Sequence, residues 1–155
     1  MDSNRPKTIF YKRSNFVTHL PETHLYSPSH YWVSTTSNGL CRIGLTKFAT
    51  RMLGDMVDHG FDIEPGATVN LGQVVGWLEG FKAISDIFSI AEGVFSGINP
   101  ALSGNLALIG EDPYHTGWLF EVKGRPDAGC TDVQGYRAIL DKTIDKLLEK
   151  QQAEG

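Results

Sequence analysis

The sequence predicts a mainly β domain, a compact barrel or sandwich, with a short internal helix and an amphipathic C-terminal helix. Three observations carry this. Short β-prone runs recur along most of the chain, parted by glycine-bearing turns. One internal stretch alone has both a helix start signal and a stop signal. The hydrophobic period lengthens only in the tail, where Val133, Tyr136 or Arg137, Leu140, Ile144 and Leu147 recur at three- and four-residue steps.

In chain order, residues 1–20 hold one β-prone patch, Thr8 to Tyr11, in polar sequence, and are expected to form an extension outside the core. The fold proper is expected to begin near Leu25. Tyr31-Trp32-Val33-Ser34-Thr35-Thr36 is a strand, Ser37-Asn38-Gly39 its turn and Leu40-Cys41-Arg42-Ile43-Gly44-Leu45 the return. Asn-Gly between β-prone runs favours a hairpin because both residues tolerate positive φ. Alternation then places Cys41, Ile43 and Leu45 on one buried face. Thr46 caps a helix over residues 47–53, with Phe48 and Met52 inward and Gly54 as its stop. Between Met56 and Leu71, β-prone pieces are divided by Gly60 and by a Pro65-Gly66 turn. A further strand over 94–98 ends at Asn99-Pro100, and 102–109 carries no clear signal. Glu111-Asp112-Pro113-Tyr114 is a turn into a strand over 117–122. In the tail helix, Asp141, Asp145 and Glu149 beside Lys142, Lys146 and Lys150 are expected to be a solvated face.

Composition narrows the function. A chain of 155 residues, 41% hydrophobic and 21% charged, is one ordinary globular domain. Its net charge of −4 argues against a nucleic-acid footprint. Arg5, Lys7, Lys12 and Arg13 against Asp2 make the first twenty residues +3, leaving −7 for the rest, so a basic arm precedes an acidic body. Met1-Asp2-Ser3-Asn4-Arg5-Pro6 is polar with no apolar run behind it, so neither a secretory leader nor a membrane span is expected. A cytoplasmic location with reduced thiols follows as an expectation. Cys41 and Cys130 lack metal-ligand spacing; Cys41 is expected in the core and Cys130 at the surface. The five histidines show no ligand spacing and are expected at the surface or capped. Phosphate-loop, nucleophile-elbow and zinc-protease motifs are absent from the sequence. Gly72, Gly76 and Gly80 recur without a long apolar helix around them, which points to backbone crowding in the sheet.

The stretch 74–93, VVGWLEGFKAISDIFSIAEG, carries the chemistry. Two strand-like runs, 74–78 and 84–90, flank a short tip holding Lys82. Such a reversal lifts an ammonium clear of both strands, where another enzyme can acylate it. Gly93 follows by eleven positions, where the second run is expected to turn. A tip lysine with a glycine at that interval is the layout of a lipoyl- or biotinyl-carrier domain. A lone exposed lysine is usually only solubilising. Here Phe81 and Ala83 flank it, where turn residues or charges are expected, and Glu79 and Asp86 bracket it. With Gly80, these residues are the candidate recognition features for a modifying enzyme. Biotin carriers usually flank their lysine with methionines, so lipoyl is favoured.

The chain resembles the H protein family of the glycine cleavage system. The likeness lies in Tyr26…His30-Tyr31-Trp32-Val33 and in Ile43-Gly44-Leu45-Thr46…Ala49…Leu53-Gly54-Asp55. It continues through Glu79-Gly80-Phe81-Lys82-Ala83-Ile84-Ser85-Asp86-Ile87 and Glu111-Asp112-Pro113-Tyr114…Gly117-Trp118-Leu119. The resemblance implies a barrel-sandwich hybrid, lipoyl-domain-like, with lipoate amide-linked to Lys82. It implies no catalysis by the chain itself: a lipoyl swinging arm serves partner enzymes, among them a lipoate ligase or lipoyl transferase. The implied division is an extension over 1–24, a carrier domain over 25–125 and a packed helix over 126–155.

Departures from the family pattern cluster where a ligase or partner would touch. That family usually reads Glu-Ser-Val-Lys, against Glu79-Gly80-Phe81-Lys82 here. Asp58-His59-Gly60-Phe61 replaces an acidic, valine-rich stretch, and Gly110 stands where asparagine is common. This pattern is similar to the lipoate-binding proteins of heterodisulfide-reductase-like complexes in sulfur oxidation. That likeness implies carriage of a sulfur-containing group. The alternative is aminomethyl carriage among glycine cleavage enzymes, including the dehydrogenase that reoxidises lipoamide.

Overall fold

The structure is a computed structural model, and it describes residues 6–154. Asp2 and Arg5 of the basic arm lie outside the described residues. Strands β1 (Thr8–Arg13) and β2 (Phe16–Pro21) form a two-stranded ribbon. Strands β3 (Leu25–Tyr26), β4 (Tyr31–Thr35) and β5 (Leu40–Leu45) lead into helix α1 (Lys47–Leu53). Next come β6 (Met56–Phe61), β7 (Thr68–Val69), β8 (Val74–Gly80), β9 (Ile84–Phe88) and β10 (Ala91–Ile98). A 3-10 turn (Pro100–Ser103), α2 (Leu108–Glu111), β11 (Phe120–Pro126) and α3 (Val133–Glu154) complete the chain. A six-stranded sheet, β3-β4-β5-β11-β10-β7, packs with a three-stranded sheet, β6-β8-β9. The fold is a mainly β sandwich with barrel character, as the sequence predicts.

Two cores share strand β4. Its period of two sends Tyr31 and Val33 into the core between the sheets, with Ile43, Leu78, Ile87 and Phe120. Trp32 points the other way, into a second core with Leu20, Tyr26, Phe48, Tyr136 and Leu140. Gly44, paired with Trp32, makes this possible: a Cβ there would lie 2.6 Å from the indole. The Trp32 indole N–H donates to the Pro113 carbonyl at 2.9 Å, so the polar edge of the ring is satisfied.

The second core corrects the expectation for residues 1–20. Tyr11, Phe16 and Leu20 are buried, and the Tyr11 hydroxyl donates to Asp141 at 2.8 Å. Arg13 grips Asp145 at 2.8 and 3.1 Å. Residues 8–21 therefore belong to the core, and Asp141 and Asp145 hold the ribbon instead of only facing water. The alternation was present, but Phe10 and Val17 on the outward face and Arg13 on the inward one blur its contrast.

Other expectations shift for local reasons. The hairpin turn at Gly39 (φ +80°), the Thr46 cap and both bounds of α1 stand as the sequence predicts. Helix α1 lies at the seam of the two cores, sending Phe48 to one and Leu53 to the other, which leaves Met52 half-exposed. Gly60 does not divide β6; it sits within the strand beneath Trp77, where a Cβ would be 2.6 Å from the indole. Trp118 and Leu119 precede β11, and Gly117 before them sits where a Cβ would strike the Leu108 carbonyl. Crowding explains Gly76 and Gly80, which face the carbonyls of Gly60 and Leu53; Gly72 instead supplies a positive φ of +77°. Gly93 does not turn the chain. It lies inside β10, opposite Gly124, at φ +147°, where the Lys123 carbonyl leaves no room for a side chain. The turn falls earlier, after β9 ends at Phe88.

Candidate functional site

Lys82 sits at the tip between β8 and β9. The strands run antiparallel with Glu79 opposite Ile84, and Gly80 N–H closes the tip on the Ala83 carbonyl at 2.8 Å. Phe81, Lys82, Ala83 and Ile84 are all exposed, Phe81 to 85%. Glu79 is half-buried and Asp86 exposed, each on its own strand within the hairpin. The six candidate tip residues thus share one hairpin, while Gly93 lies apart in β10.

The tip does not stand free. The Lys82 amide donates to the Leu53 carbonyl at 2.9 Å, and the Phe81 amide to the Asp55 carbonyl at 2.8 Å. The Lys82 ammonium reaches the Arg51 carbonyl at 3.4 Å. Unpaired carbonyls are expected at a helix C-terminus, and here the hairpin satisfies them. Arg51, Leu53, Gly54 and Asp55 are therefore part of the site. Sequence reading treated Leu53-Gly54-Asp55 only as a helix stop and a family motif.

Two clefts flank α1. A larger one, about 670 Å³, opens beside Lys82 between Lys47 and Arg51 on α1 and Gly110 and Glu111 on α2. The Lys47 ammonium bridges this gap to the Gly110 carbonyl at 3.0 Å. A smaller, more apolar groove of about 360 Å³ lies on the other face of α1, lined by His30, Tyr31, Phe48, Met52, Leu53 and Phe88. The Tyr31 hydroxyl accepts from the Phe88 amide at 3.0 Å, tying β4 to the end of β9. Burial pushes that phenol up to about 12.

Behind the groove, Tyr136 on α3 stacks on Tyr26 at 4.7 Å and donates to Thr46 Oγ1 at 2.8 Å. Thr46 caps α1, so α3 is tied to the helix that holds the tip. His30 Nδ1 lies 2.8 Å from the same Tyr136 hydroxyl, and burial lowers its imidazole from the ordinary value. His24 is buried against Trp32 at 4.7 Å and held down to about 4 by desolvation. His24 is therefore not a surface group, whereas His30 is half-buried and capped by Tyr136. Cys130 is half-buried, packs against the main core, and is pushed up to about 11 by burial and then by Asp127. Cys41 is fully buried, as expected, and burial raises its thiol as well. Among the described residues, no helix is long and apolar enough to cross a membrane.

A mainly β sandwich that presents one exposed lysine on a braced hairpin tip defines a carrier domain. The chain belongs to the glycine cleavage H-protein family, whose model matches residues 24–143. It is 36% identical over 130 residues to the glycine cleavage system H protein of Aeromonas hydrophila, covering 81% of this chain and 99% of that one. Identity to the Corynebacterium jeikeium H protein is 38% over 125 residues, covering 79% and 98%. The crystal structure of a Mycobacterium marinum glycine cleavage H protein superposes with a TM-score of 0.69 at 31% identity, covering 77% of this chain and 97% of that one. The family consists of lipoyl carriers without catalytic activity of their own.

Proposed function

We propose that Lys82 carries a lipoyl group in amide linkage and that the chain serves as the H-protein carrier of a glycine cleavage system. The observation that supports the lysine is its place: it is the exposed lysine at the tip, braced on both sides of its own amide. The residues fit the group. Nζ lies at the mouth of an open cleft, with clear approach for an acyl donor. A lipoate ligase or lipoyl transferase supplies an activated lipoyl carbonyl. Neutral Nζ attacks it, the C–N bond forms, the activating group leaves with its electron pair and a proton passes to solvent. Once attached, the group supplies dithiol/disulfide chemistry that protein side chains provide poorly. The chain's part is to keep the stem fixed with Nζ at the mouth of the cleft and to expose Phe81, Ala83 and Asp86 to the enzymes that read the tip. A cytoplasmic setting, shared with those partners, belongs to the same proposal.

The names of the relatives favour glycine cleavage over the sulfur-group shuttle suggested by the tip departures. One observation keeps that second reading: Phe81, directly before the lysine, is 85% exposed and gives partners a different surface to read. Reconstitution separates the two. Lipoylated protein with the decarboxylating partner, the aminomethyl-accepting enzyme and glycine is expected to release carbon dioxide. No turnover with partners that are active on another H protein would overturn the glycine assignment. Turnover only with a heterodisulfide-reductase-like complex would replace it.

A further inference from the structure

We propose that Gly54 is a positioning residue for the modification of Lys82, acting through a latch between the end of α1 and the hairpin tip. The inference rests on the reading of Lys82 as the acylated lysine. Hairpin tips ordinarily project into solvent. This one is drawn onto three carbonyls, those of Arg51, Leu53 and Asp55.

Two independent features at residue 54 require glycine. Its backbone is at φ +81°, ψ −170°, a region essentially closed to L-residues. A Cβ there would also lie 2.9 Å from Lys82 Cγ and 3.0 Å from the Lys82 nitrogen. The lysine stem is laid across the bare Gly54 backbone, and no other residue leaves room for it. Gly80 answers from the tip side, where a Cβ would strike the Leu53 carbonyl. Two glycines facing each other thus let helix end and tip close to hydrogen-bonding distance. The acylating enzyme therefore meets a lysine of fixed position and a composite surface that includes Arg51 and Asp55. A preset stem removes ordering cost from binding and places Nζ for attack.

The test uses the full chain, a lipoate ligase with ATP and lipoate, and intact-mass kinetics. Gly54→Ala is expected to lower kcat/KM for acylation by about tenfold or more, because small misplacements at a reacting centre are costly. Gly104→Ala, at φ −105° with open space around it, is expected to leave acylation unchanged. Amide hydrogen exchange supplies the direct readout. In the wild type, the Phe81 and Lys82 amides are expected to be protected. In Gly54→Ala they are expected to exchange faster, while the β8–β9 ladder amides stay protected. Gly54→Ala acylated at the wild-type rate would overturn the proposal, as would wild-type Phe81 and Lys82 amides exchanging like an open loop. Should Gly54→Ala not fold, the wild-type exchange rates decide alone. A wild-type chain that the ligase leaves unmodified, with tip amides protected, would overturn the Lys82 reading and spare the latch.

Discussion

The backbone amide of Lys82 donates to the carbonyl of Leu53 at 2.9 Å, so the tip of one hairpin is fixed by the last turn of a helix. That helix is fixed in turn at its other end, where Tyr136 on α3 donates to Thr46, the α1 cap. Lys82 is thus the outer end of a connected structure that reaches the C-terminal helix.

Removing the Tyr136 hydroxyl tests the inner end of that connection. Tyr136→Phe keeps the stack on Tyr26 but removes the hydroxyl bonded to His30 Nδ1 and leaves Thr46 Oγ1 with the Ala49 amide alone. A loss of about 1–2 kcal/mol in unfolding free energy is expected, read by urea denaturation. Faster hydrogen exchange in α1 should accompany it.

The ribbon at the N-terminus is structural. Leu20 is fully buried in the second core, so Leu20→Ala is expected to cost about 2–5 kcal/mol. Tyr11→Phe, which removes the bond to Asp141, should cost about 1 kcal/mol. Thermal and urea unfolding check both. A free tail would give no change in either.

The β4–β5 hairpin, α1 with its cap and the tail helix were legible because each has a local signal: Asn-Gly, Thr46 before an apolar face, and a change of period. What was not legible depends on distant partners. Gly93 has a glycine's spacing, but its φ and its crowding by the Lys123 carbonyl come from β11. The ribbon's burial depends on α3, far along the chain. Lys82 itself was legible from its hairpin and its neighbours; the latch was not, because Arg51, Leu53 and Asp55 act through backbone carbonyls, which no side-chain pattern records.

His24 makes stability depend on pH. Its folded value of about 4 lies below the ordinary 6.5, so between these limits the unfolded chain binds the extra proton. Stability is then complete above about pH 6.5 and is lost as pH falls toward 4, by about 2 kcal/mol at pH 5. His24→Phe keeps a ring against Trp32 and should flatten that part of the urea-unfolding profile. A variant profile parallel to the wild type would count against the buried neutral imidazole.

Cys130 should be a quiet thiol. Raised to about 11, it holds far less thiolate at pH 8 than a free cysteine, so alkylation should be about two orders of magnitude slower. Cys130→Ser is expected to leave carrier turnover unchanged.

The intact mass of the chain purified from a host with working lipoylation tests the central claim most directly. The account predicts a mass raised by one lipoyl group, mapped by peptide fragmentation to Lys82 and absent from Lys82→Ala. An unmodified Lys82 in that host, or a lipoyl group found on another lysine, would contradict it.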